Sequence, residues 1–249
     1  MIHIIGRIKK YLNQNKFFVL FMILLSWLIF DPFIRDQGII ASFLTMFMIM
    51  IIILLFRHIF RKNIHFILST IIILLPFVVL IIYNEFKIEI IKYILLYSVI
   101  IVCLFVTISL IWYVGNLKTY TNDEIFAGIT SFLLIGICFG YIYFGLSSYD
   151  TTVVHFMKED SGLKSELNAP EMTIKIAESD FIYYSFMTLS TVGYGDIYPI
   201  SLITKRLASL EACTGVLFIA IFISRIIMLY EKAGIKKIKA EISDRDFND

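Results

Sequence analysis

The chain has 249 residues, of which 59% are hydrophobic and 17% charged, against about 45–50% apolar and about 25% charged in soluble domains. Its mean hydropathy of +0.85, with apolar runs near bilayer length, excludes a water-soluble globule, because a fold of this size cannot hide so much apolar surface. The net charge of +2 and the scattered basic residues give no support to nucleic-acid binding. Cys103, Cys138 and Cys213, an odd set inside apolar runs, offer neither a disulfide framework nor a metal site.

A basic start (Arg7, Lys9, Lys10, Lys16) precedes the first apolar run, residues 17–30, bounded by Asp31 and Pro32. No small-residue cleavage site follows Phe30, so the run reads as an anchor and not as a removed leader. Its residues rise only about 21 Å, so the helix is expected to begin near Leu12, with Lys16 snorkelling. Further runs follow at residues 38–56, 65–83 with Pro76 as a kink, 90–114, 125–146 and 202–230. These are read as six membrane helices. Thr121-Asn-Asp-Glu124 has the capping-box pattern ahead of the fifth, and Ser179, Asp180 and Ser201 suit helix N-caps. Lys and Arg number thirteen on one side of this layout (the start, the 57–65 loop, Lys118 and the tail) and five on the other (Arg35, Lys87 and three lysines in 147–180). Both termini are therefore expected to be cytoplasmic. The long outer connection, residues 147–180, carries seven acids against three lysines.

The informative stretch is Thr188-Leu-Ser-Thr-Val-Gly-Tyr-Gly-Asp196, between the last two runs and after a short helical stretch at 180–190. An ion crossing a hydrocarbon barrier must exchange its water shell for other oxygens. The backbone carbonyls of Thr191, Val192, Gly193 and Tyr194, with the Thr191 hydroxyl, can supply them. Aiming successive carbonyls along one line requires the backbone to alternate in hand, which is inexpensive only for glycine, and Gly193 and Gly195 alternate as required. Such backbone at membrane depth must be buried or line a water-filled path, and one chain brings one strand, so a closed ring needs several copies.

The stretch resembles the potassium-channel signature, with the likeness running over residues 124–230. The resemblance implies an all-α membrane protein: six transmembrane helices, a re-entrant pore helix and selectivity filter between helices five and six, and a homotetrameric pore. The implied organisation is a four-helix membrane domain (1–120), a pore domain (121–231) and a short cytoplasmic tail (232–249). The filter would be residues 191–195, with permeant K+ held at Thr191, Val192, Gly193 and Tyr194. Tyr184, Thr188, Ser190 and Asp196 would support it, the Tyr184 hydroxyl donating to Asp196. Met187 stands where some members place a carboxylate. Gly215 is either the family's hinge or a site of close helix packing, Val216, Ile219 and Ile223 fall on a cavity-facing side, and Ile227 suits a hydrophobic gate. Glu211 and Arg225 are charges in an apolar helix and hence candidates by default; Glu211 is expected to bond to the pore helix or its neighbours.

Six helices with one pore loop also raise a voltage sensor, but residues 90–114 contain a single cation, Lys92. Moving one charge through 100 mV yields only about 2.3 kcal/mol, so the first four helices read as a packing collar. The expected activity is passive potassium conduction, without a cofactor or covalent chemistry, in a plasma membrane of bacterial type. The expected partners are other copies and lipid, with an unidentified regulatory subunit left open. Rival readings are a weakly selective cation channel, a non-conducting regulatory subunit, and a potassium-uptake transporter component, which would carry four pore loops where this chain has one.

Overall fold

Long apolar segments become helices in lipid because a helix satisfies every backbone polar group within itself. The computed structural model describes residues 15–34, 76, 78–79, 81–83, 89–116, 121–147, 154–156 and 178–246. In chain order the elements are α1 (Lys16–Ile34), α2 (Glu89–Gly115), α3 (Asn122–Ser147), β1 (Val154–Phe156), α4 (Glu178–Leu189), β2 (Ile197–Pro199) and α5 (Leu202–Asp246). Among the described residues, three stretches are long and apolar enough to cross a membrane: Tyr93–Gly115, Asn122–Ser147 and Leu202–Ile235. The expected run at 38–56 lies outside the described residues. The run at 65–83 is described only at 76, 78–79 and 81–83, all helical.

Three boundaries differ from expectation. Asn15 is a bend, so α1 begins at Lys16 and not near Leu12. The end of α1 is not set by Asp31 and Pro32: the helix runs through them to Ile34, since proline removes only one donor from a helix whose remaining groups stay paired. The last helix does not stop at Tyr230. It continues to Asp246, because the residues beyond are largely Lys, Glu, Ala and Ile without a proline. Residues 232–246 of the expected tail are therefore helical. The all-α expectation also acquires one small exception, an antiparallel β1–β2 pair in register Val154↔Pro199, His155↔Tyr198 and Phe156↔Ile197.

The chain divides into two compact units, one made of Met1–Ile135 with Leu217–Asp249 and the other of Gly136–Val216. In the first, α1 docks on the start of α3. The Asp123 carboxylate accepts from the amides of Phe17 (2.9 Å) and Phe18 (3.0 Å), two free donors of the α1 N-terminus. Phe18 meets Phe126 edge-on at 4.8 Å, Phe17 tilts on Tyr113 at 4.9 Å, and Phe17, Leu20, Leu24 and Leu110 are buried. The Lys16 ammonium lies over the rings of Phe17 and Tyr113. At the start of α3 the Thr121 amide donates to the Glu124 carboxylate at 2.8 Å, the acidic half of the expected capping box. Gly128 faces the Phe222 ring so closely that a Cβ would overlap it at 2.0 Å.

The second unit has its core at Tyr143, Phe181 and Tyr184, with Phe139, Phe144, Ile197 and Leu207 packed against them. Ser201 caps α5, its hydroxyl accepting from the Thr204 amide at 3.2 Å.

Candidate functional site

Everything around residues 188–196 depends on where α4 is held. Gly136 and Gly140, one turn apart on α3, face Phe186 and Ile182, one turn apart on α4. A Cβ at Gly136 would lie 2.7 Å from the Phe186 ring, and one at Gly140 2.8 Å from the Ile182 Cα. Small residues at this spacing let two helices approach closely. At the far end of α4 the Leu189 carbonyl oxygen rests on Gly215 of α5, 2.0 Å from where a Cβ would be. Close approach is thus the contact the structure gives Gly215.

Beyond Leu189 the chain leaves the helix through short backbone bonds. The Thr191 amide donates to the Thr188 carbonyl (3.0 Å), and the amides of Val192 and Gly193 both donate to the Met187 carbonyl (3.0 and 3.1 Å). The backbone then alternates in hand: φ is +58° at Thr191, +54° at Gly193 and +81° at Gly195, while Val192 and Tyr194 keep the ordinary sign. Two of these positions are glycines. The third is a β-branched residue, for which a positive φ is a genuine outlier costing about 1–3 kcal/mol. Residues 191–196 are all exposed in the single chain, Tyr194 by 73%.

Asp196 is held from two sides. Its Oδ2 accepts from the Tyr183 hydroxyl at 2.8 Å, and its Oδ1 from the Ile197 amide at 3.0 Å. The expected donor, Tyr184, is thereby corrected to Tyr183. Neighbouring helix positions point about 100° apart, so only one of the pair can face Asp196. Tyr184 turns inward, is buried, meets Tyr143 edge-on at 5.0 Å, and is hydrogen-bonded to the Thr188 side chain. The hydrogen bond to Asp196 raises the Tyr183 phenol above its ordinary value of 10.0. Ser190 turns its hydroxyl back onto the Phe186 carbonyl. Pro199, Tyr198 and Ile197 leave the site as β2, paired with β1.

Behind α4 lies a carboxyl group. Glu211 is fully buried; its Oε2 is 2.8 Å from the Tyr143 hydroxyl and its Oε1 contacts the Ser185 hydroxyl, which also sits 2.6 Å from the Gly136 carbonyl. The expectation that Glu211 bonds to the helix before the glycine-rich stretch is met through Ser185. Further along α5, Val216, Ile219, Ile223 and Ile227 are each more than two-fifths exposed. Arg225 is half-buried and lines a groove with Ala220, Ile221, Ser224 and Met228. Sequence reasoning missed Gly136, Gly140, Tyr143 and Ser185. The first two were legible as Gly-x-x-x-Gly in an apolar run, whereas a lone tyrosine and a lone serine carried no signal.

Residues 66–232, two thirds of the chain, match the family described as "Ion channel". The chain belongs to the ion channel family. The match starts well ahead of Thr121, so the family pattern reaches into the earlier helices and is not confined to residues 124–230. This ion channel chain is also 33% identical over 87 residues, 35% of its length, to the two-pore potassium channel 4 of Arabidopsis thaliana. The shared region spans about a quarter (26%) of that relative. No solved structure matches the channel chain. Family membership and the apolar helices make it a membrane protein of the transporting kind.

Proposed function

We propose that four copies of this chain assemble around an axis into a potassium-selective pore whose narrowest part is residues 191–195. The observation that carries the reading is the backbone alternation at Thr191, Gly193 and Gly195. Alternating hand turns successive carbonyls toward one side, where those of Thr191, Val192, Gly193 and Tyr194, with the Thr191 hydroxyl, replace the water shell of a bare potassium ion. The exposure of this polar backbone in a single chain supports assembly, since unpaired backbone at membrane depth needs protein or a water-filled path beside it. So does α5: only 11% of its apolar window is buried within the chain, against 61% for α3. The C-terminal end of α4, the negative end of its dipole, favours a cation beneath the filter.

In this reading α4 is a re-entrant pore helix. Tyr183, Asp196, Thr188 and Ser190 steady the filter, Val216, Ile219 and Ile223 line the cavity, and Ile227 narrows its inner end. Gly215 serves as a packing contact or a hinge. The earlier helices form a collar without a voltage sensor. Six spans with both termini cytoplasmic fit the Lys and Arg asymmetry. The name of the plant relative, a potassium channel, favours potassium over other cations.

The test is purified protein in liposomes with opposed potassium and sodium gradients. The expected reversal potential lies close to the potassium equilibrium potential. Gly193→Ala, which puts a Cβ on a residue at φ +54°, is expected to abolish the current. A reversal potential midway between the two ions, or an unaltered Gly193→Ala current, overturns the filter assignment.

A further inference from the structure

The hydrogen-bond chain behind α4 needs one more proton than its hydroxyl groups hold. Ser185 Oγ lies 2.6 Å from the Gly136 carbonyl oxygen and also within hydrogen-bond distance of Glu211 Oε1. The carbonyl has no hydrogen, so the serine's single hydroxyl hydrogen fills that contact. Toward Glu211 the serine oxygen then has only a lone pair to offer. Tyr143 cannot help there, because its hydroxyl donates to the other carboxyl oxygen, Oε2. If Glu211 were ionised, two oxygens would face each other without a hydrogen between them. Its charge would also be fully buried, and among the described residues no cation pairs with it: the groups around it are Tyr143, Ser185, Cys138 and Tyr184. A buried, unpaired carboxylate is strongly disfavoured.

We propose that Glu211 is held as the neutral carboxylic acid and acts as a positioning residue, its O–H closing a directed relay from Tyr143 through Glu211 and Ser185 to the Gly136 carbonyl. This relay joins α3, α4 and α5 at a single point. In it the tyrosine donates to Oε2, the acid donates from Oε1 to Ser185 Oγ, and the serine donates to the backbone, so each of the three O–H hydrogens has an acceptor. Because α4 ends at the glycine-rich backbone, the relay fixes the height and rotation of that backbone. This functional half of the proposal rests on reading residues 191–195 as the filter; the protonation half does not. Glutamine reproduces both roles of the neutral acid, an N–H donor beside a carbonyl acceptor, on a side chain of the same length. Alanine reproduces neither.

The experiment compares full-length wild type with Glu211→Gln in liposomes at neutral pH. Infrared difference spectra are expected to show the carbonyl band of a protonated carboxyl group, shifted in heavy water, in the wild type and not in Glu211→Gln. In the same liposomes Glu211→Gln is expected to keep the wild-type reversal potential, while Glu211→Ala and Ser185→Ala reduce potassium-over-sodium discrimination at least tenfold. A difference spectrum containing ionised-carboxylate bands in place of the acid band overturns the proposal, as does Glu211→Gln losing discrimination as far as Glu211→Ala. The infrared comparison needs no current. Wild-type protein that passes sodium as readily as potassium while showing the acid band sinks the filter reading and the positioning role, and leaves the neutral carboxyl standing.

Discussion

Tyr183 and Tyr184 are adjacent and chemically identical, yet one bonds Asp196 from a partly covered position and the other is buried against Tyr143. Removing the Tyr183 hydroxyl leaves Asp196, among the described residues, only the amide of Ile197, so Tyr183→Phe is expected to hasten the decline of current during sustained conduction. Tyr184→Phe leaves the Asp196 bonds in place and is expected to change that decline less. The pH dependence has a definite sign. A phenol raised above 10.0 by its bond to Asp196 keeps that bond throughout the range below its ordinary value and loses it only as pH climbs through the raised value. Current decline in the wild type is therefore expected to be insensitive to this group from neutral pH to about 10 and to approach that of Tyr183→Phe above it. Recordings of both proteins across alkaline pH check this, and identical behaviour at every pH removes the bond from the account. Thr191 was legible as a residue of the motif but not as one in a left-handed conformation, since nothing in a threonine announces a φ of +58°. That conformation is imposed by its neighbours, with the amides on either side already tied to Thr188 and Met187.

Among the elements, α4 is positioned by three glycines, and the atom each one meets sets the order of their sensitivity. Gly215 faces a backbone carbonyl at 2.0 Å, Gly140 a backbone Cα at 2.8 Å, and Gly136 the ring of Phe186 at 2.7 Å. Backbone cannot yield as a side chain can. Alanine is thus expected to destabilise most at Gly215, less at Gly140 and least at Gly136, over a range of about 1–3 kcal/mol or more. Thermal unfolding in detergent measures the order, and Gly136→Ala as the most damaging of the three would contradict it. At the other end of the chain, the cap of α1 comes from Asp123, more than a hundred residues away. Asp123→Ala is expected to cost about 1 kcal/mol and to speed hydrogen exchange at the Phe17 and Phe18 amides, with little change at the amides of α4. The expected start of α1 near Leu12 missed this cap because a long-range carboxylate leaves no local trace in the sequence.

For the whole molecule, the prediction is the copy number. Detergent-solubilised protein is expected to have a mass of four 28.9 kDa chains by native mass spectrometry, and a monomer or dimer would remove the proposed pore. The sequence by itself determined the membrane class, the helical character of the described runs and the stretch where Gly193 and Gly195 turn the backbone, because hydropathy, run length and glycine are local properties that act the same way in any context. The extension of α5 to Asp246 was half visible, as isoleucines at helical spacing among lysines. Only the tertiary structure decided which tyrosine reaches Asp196, that a strand from the acidic connection pairs with residues 197–199, and that Glu211 meets Tyr143 and Ser185. Each of these depends on the rotation of one helix against another or on the return of a distant segment. Rotation is set by close packing such as that at Gly136, Gly140 and Gly215, a sum over many small contacts that no single stretch of sequence contains.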